Sequence, residues 1–316
     1  MAHAVIERFQ ELEEAFAGIA GRGGRLQARF CAAAALDCDL ATDTLIRRTE
    51  RELEALNAGL SRWRTPGPQM RLVYATALTT AGRDAGLFLN TKDTLKETRK
   101  RRGGRHLQDG GACAALVLVA SGGYPSHSGM FYDILAAIAA PWWRRSPQQE
   151  EACAAALTAS GETPDTAGDL MSRTRIMMDA AGVPGRHIDK AVYDVALSDP
   201  DPDIYARSWT ALNVAARSRK GLVRHSGYDG LAILASQVED GSEAADALIA
   251  ATEAVKAMRP RVSSMAAGRL ALRLAGSMCG SRTPGGAARD LSAIYAMQAA
   301  VIAATTASAA AVVAAG

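Results

Sequence analysis

The chain has 316 residues, of which 48% are apolar and only 5% aromatic, and its formal net charge is +3. That length holds one large core or two domains. So small a net charge excludes the broad basic field that drives nucleic-acid binding, so only local clusters of charge can matter.

The first stretch, Ala4 to Ala17, reads as a polar helix. It carries Glu7, Arg8, Glu11, Glu13 and Glu14 rather than the basic-then-apolar order of a secretory signal. Residues 1–25 are expected to form a capping helix and loop. FCAAAALDC follows at 30–38, then YATALTT at 74–80. TTAGRDAGLFLNTKD reads next, as a polar break holding Asp84 and Asn90. LVLVAS spans 116–121, within an apolar helix over 112–121. GGYPSHSG supplies a turn, and MFYDILAAIAA at 130–140 is a second helix that Pro141 stops.

The same alternation continues. AALTAS at 155–160 precedes an amphipathic helix over 166–181 with Leu170, Thr174, Met177 and Met178 at helical spacing, closed by Gly182 and Pro184. YDVALS at 193–198 precedes a helix over 204–216. LAILAS at 231–236 precedes one over 244–258, and LRLAGS at 272–277 precedes one from Leu291 onward. The apolar segments end on Thr80, Ser121, Ser160, Ser198, Ser236 and Ser277, in steps of 38 to 41 residues. Repeats of that period are the mark of stacked helical hairpins.

No segment alternates as a strand does. The expected fold is all-α: one domain over 1–316 of antiparallel helical hairpins, forming a curved α-solenoid or an α/α toroid. Residues 290–316 are expected to close the array or to dock a partner. Ala299 to Gly316 is apolar but mostly alanine, with Thr305, Thr306 and Ser308. That is too weak to read as a membrane span, so a soluble cytoplasmic protein is expected. Five cysteines, an odd number lying mostly in apolar patterns, read as buried thiols of a reducing compartment.

The loops that lead back into each short helix carry the candidate chemistry. Three hold the same pair: Arg105-His106 before Asp109, Arg186-His187 before Asp189, and Arg224-His225 before Asp229. An aspartate there can cap the next helix. If the array curves, the three clusters converge into a polar bowl. Arginine holds an anion bidentately, and histidine moves a proton near neutral pH. Arg144 and Arg145 beside Trp142-Trp143, Arg62 and Arg64 beside Trp63, and Arg259 and Arg261 beside Pro260 extend the basic edge. The counterpart is an anionic small molecule rather than RNA or a membrane, because the basic runs are short and lack interleaved aromatics.

Standard cofactor and nucleophile signatures are absent, GRGGR at 21–25 included, and the histidine spacings do not suggest zinc. No cofactor and no metal are expected. On GRHLQDGGACAALVLVAS, GRHIDKAVYDVALS and VRHSGYDGLAILAS, the chain resembles an uncharacterised bacterial all-helical repeat family. It is also similar to the partner-dependent proteins that form the aziridine ring of azinomycin-type antibiotics.

That resemblance implies a lyase or cyclase that expels sulfate from an activated amino-acid intermediate while an amine closes the ring. It also implies a second protein subunit. Such chemistry suits a basic edge, since departing sulfate needs positive donors and the amine needs a base. His187, Asp189, His225, Asp229 and Asp109 are the acid–base candidates. Arg105, Arg186, Arg224, His106, Arg145, Trp142 and Tyr228 are the anion- and substrate-binding candidates. The alternatives are a non-catalytic repeat scaffold for a partner protein and a small-anion sensor.

Overall fold

The computed structural model describes residues 2–21, 24–144, 146–219, 222, 227–262 and 264–280, without the side chains of Trp142, Ser264 and Met265. It is all-helical, as expected. The described residues form fourteen α-helices and no strand: α1 Ala2–Ala20, α2 Arg25–Ala35, α3 Thr42–Gly59, α4 Pro68–Thr80, α5 Ala85–Arg102, α6 Ala112–Ala120 and α7 Ser128–Ala137, then α8 Pro147–Ala159, α9 Pro164–Ala180, α10 Gly185–Ser198, α11 Pro202–Ser218, α12 Gly227–Gln237, α13 Gly241–Ala257 and α14 Ser264–Met278. The expected segment over 290–316 lies outside the described residues.

Each short apolar segment of the sequence falls in an even-numbered helix. Those helices are buried almost all round. Eight residues of α6, Ala112 to Val119, are buried in succession, as are nine of α8. A helix with no polar face needs neighbours on every side. Each even-numbered helix packs on the next one, from α2 to α4 and on to α14. The odd-numbered helices bury one stripe only, as Leu45, Thr49, Glu52 and Leu56 of α3 illustrate.

The last described helix meets the first. α14 packs against both α1 and α2, and α1 also touches α13. Two buried arginines make the junction. Arg29 donates to the carbonyls of Pro260 and Arg259, at 2.8 and 2.9 Å, and to Glu13 Oε1 at 2.9 Å. Arg273 donates to the Ala33 carbonyl at 3.0 Å and to Asp37 Oδ2 at 2.9 Å. On α1, Phe9, Leu12 and Phe16 are fully buried. Burying each of those side chains contributes about 1.5–3 kcal/mol.

Two local expectations are corrected. The polar break expected over 79–93 is confined to 81–84: Asp84 accepts the Leu87 amide as N-cap, and Ala85 begins α5. The aspartates of the Arg-His loops are not N-caps either. Pro184 already holds the φ that a helix needs, so α10 starts at Gly185 and Asp189 sits inside it. Gly111, left-handed and with no side-chain cap, precedes α6, and Asp229 is in the first turn of α12. The observed capping side chains, Asp84, Thr163, Asp201 and Asp240, all stand where an even-numbered helix turns into an odd one. Among the described residues no helix is long and apolar enough to cross a membrane.

Candidate functional site

Two loops and one helix build a cleft of about 380 Å3 on the edge where odd-numbered helices turn back into even ones. The loop 60–67 is held from below by buried Arg71. Its guanidinium donates to the Ser61 carbonyl at 2.6 Å, the Pro66 carbonyl at 3.2 Å and Asn57 Oδ1 at 3.0 Å. Thr65 then donates to the Asp109 carbonyl, tying this loop to 103–111. The second loop turns sharply because Gly103, Asp109, Gly110 and Gly111 all take positive φ. For Asp109, at φ 49, that is a strained conformation which neighbours must hold. Tyr132 of α7 closes the wall by donating its hydroxyl to the Leu95 carbonyl of α5 at 3.0 Å.

The lining is strongly cationic. Lys92, Lys96 and Arg99 recur at helical spacing on α5, so they share one face, and Arg64 and His106 come from the loops. Asp93 is the one carboxylate among them. None of the four Lys and Arg side chains makes an ion pair with a described residue. Lys92 is the buried member, 8% exposed. Its amine holds its proton less firmly than usual, first through desolvation and then through the charges of Arg64 and Lys96, with Asp93 opposing. Trp63, Leu107 and Tyr132 add apolar surface. Tyr132 also borders a second, mostly apolar hollow of about 400 Å3 with Leu135, Ala136 and Ala139.

Beneath the 103–111 loop lie two adjacent acids, Glu150 and Glu151 of α8, both fully buried. Glu150 accepts Arg105 Nη1 at 2.6 Å and the Tyr193 hydroxyl at 3.2 Å. Both carboxylate oxygens of Glu151 accept the Gln108 amide, at 3.0 and 2.9 Å. Burial pushes the Glu151 carboxyl up to about 7, against the opposing pull of the Gln108 amide and Arg105.

The candidates read from sequence divide among several places. His106 lines the cleft. Its neighbour Arg105 is committed to Glu150, and its Nε and Nη2 are buried without a partner among the described residues. Asp109 supplies the carbonyl that Thr65 binds, and desolvation raises its carboxyl. His187, Asp229 and Tyr228 do come together. The His187 Nδ1 stands 3.6 Å from Asp229 Oδ1, and its ring lies 5.4 Å from that of Tyr228. Asp229 also faces Arg269 at 3.7 Å.

Arg186 Nε donates to His187 Nε2 at 3.1 Å, which takes the lone pair a base would use. Burial holds the His187 imidazole below its ordinary value, with Asp229 opposing and Arg186 reinforcing. Asp189 pairs instead with Arg175, at 2.6 Å, and faces Arg144 at 3.9 Å. Arg145, Arg224, His225 and the Trp142 side chain lie outside the described residues.

No protein-family model, curated protein or solved structure matches this chain.

Lys92, Lys96 and Arg99 were missed by sequence reasoning. Their spacing is the signal, hidden where the expected polar break runs over 79–93 into Lys92. The Glu150-Glu151 pair was also missed. Among the described residues no group of three or more His, Cys, Asp or Glu is placed to hold a metal ion.

Proposed function

We propose that this protein binds a small anionic molecule in the cleft between α5 and the loops 60–67 and 103–111. The observation that carries the reading is the gathering of Arg64, Lys92, Lys96 and Arg99 around one hollow with a single carboxylate. Like charges brought together repel, and a bound phosphate, sulfate or carboxylate offsets that cost. Arginine supplies a planar fork for such a group and lysine a point charge. The Trp63, Leu107 and Tyr132 surfaces suit an anion attached to a partly apolar body.

We also read the helices as a closed α/α toroid, with even-numbered helices inside and odd-numbered ones outside. Arg29 and Arg273, which join α2 to the end of α13 and to α14, support that reading. A closed ring gives the loops a rigid base, as a binding site requires. Small-angle scattering tests it: a compact ring of this length has a radius of gyration of about 20 Å, and an open array a clearly larger one.

Elimination of sulfate with ring closure by an amine is a narrower proposal on the same cleft. It asks for a proton acceptor beside the anion, and His106 is the imidazole there. Sulfate release from an amine bearing a sulfate ester on a neighbouring carbon, where the N–C bond forms as the C–O bond breaks, tests it; a protein that binds the compound unchanged is a sensor or scaffold.

The test of the main reading is titration calorimetry with pyrophosphate and sulfate at low salt. The double variant Lys96→Glu/Arg99→Glu should lose at least tenfold in affinity while its circular dichroism stays that of the parent. Equal affinity in parent and variant removes the cleft from consideration.

A further inference from the structure

The chain has six lysines against thirty arginines, and three of the six, Lys92, Lys96 and Lys100, lie on α5. The choice of residue matters at position 92. Arginine keeps its proton at any pH a cell reaches, whereas a buried lysine gives it up readily. Lys92 is nine-tenths buried, lines the cationic cleft, and has no carboxylate bonded to it among the described residues. An ammonium placed to hold an anion by charge alone is better left exposed, as Lys96 is. An amine that must be neutral to react is better placed where Lys92 is, desolvated and beside other cations.

We infer that Lys92 is a nucleophile that condenses with an aldehyde or ketone carrying a phosphate or carboxylate, forming an imine in the cleft. This rests on the anion-binding reading, because Arg64, Lys96 and Arg99 are what hold the anionic group. Lys92 Nζ attacks the carbonyl carbon with its lone pair. The C=O π electrons move to oxygen, which gains a proton, while nitrogen loses one, giving a carbinolamine. Protonation of that hydroxyl expels water as the nitrogen lone pair forms the C=N bond. One water leaves and no oxidant or reductant is consumed. His106, in the same lining, is the group placed to give and take these protons. The proton affinity of Lys92 points the same way, lowered by desolvation and by Arg64 and Lys96.

The test uses the full chain with two probes, pyridoxal 5′-phosphate and glyoxylate, each reduced by sodium cyanoborohydride and mapped by peptide mass spectrometry. One reduced adduct per chain on the Lys92 peptide, suppressed by excess pyrophosphate, is expected from both probes. Lys92→Arg keeps the positive charge and should lose the adduct, whereas Lys100→Arg, outside the cleft lining, should keep both the adduct and pyrophosphate binding by calorimetry. Adducts spread over Lys96, Lys100 and the other lysines with Lys92 spared, while pyrophosphate still binds, overturn the nucleophile and leave the cleft standing. Failure of the parent to bind pyrophosphate at all overturns both.

Discussion

Glu151 makes the folded state sensitive to pH in a direction opposite to that of most carboxylates. Its burial raises the carboxyl from an ordinary 4.5 to about 7. The folded chain therefore holds this proton more tightly than the unfolded chain. Below about 4.5 both states are protonated and the group costs nothing. As the pH rises to about 7 the unfolded carboxylate ionises freely while the folded one must ionise in a buried site, so stability falls, and it is level above that. The gap converts to a full loss of ~3 kcal/mol.

Glu151→Gln removes the charge and keeps an oxygen to accept the Gln108 amide. Urea unfolding by circular dichroism at pH 5 and pH 8, on parent and variant, isolates the effect from other titrating groups. The parent should lose ~2–3 kcal/mol relative to the variant between those pH values. A difference that stays constant, or that grows in the parent's favour at pH 8, refutes the burial argument.

Other consequences follow from the same packing. Arg29→Met leaves the buried Glu13 with Arg25 as its one remaining arginine partner and takes the donor from two carbonyls, so urea unfolding should show a loss of about 3–5 kcal/mol. Asp84→Ala should cost about 1 kcal/mol by the same assay, because it removes the cap on α5. Burial pushes the Cys31 thiol up to about 12, and Cys113 and Cys153 are buried too. Iodoacetamide should therefore label half-buried Cys38 in the native protein and spare those three, as read by peptide mass spectrometry.

The helices were legible because each even-numbered one carries a short apolar segment and the next such segment follows at a nearly fixed step. The contacts of Arg29 were not, since nothing local to it says that its partners are the carbonyls of residues 259 and 260. Buried arginines satisfied by distant backbone leave no spacing to read. The Arg-His loops were legible as a basic edge, but not the division of labour within each pair. Arg105 turns to Glu150, forty-five residues on, while His106 turns to the cleft. Arg186 binds His187 itself, which makes that imidazole an acceptor rather than a free base. Asp189, expected beside them as a cap or base, is taken by Arg175 from the preceding helix.

A crystal of the full chain soaked in selenate, whose anomalous signal locates the anion without ambiguity, tests the central claim most directly. The account predicts one principal site, within hydrogen-bond reach of Arg64, Lys96 and Arg99. Selenate bound elsewhere on the basic edge, with this cleft holding only water, would contradict it.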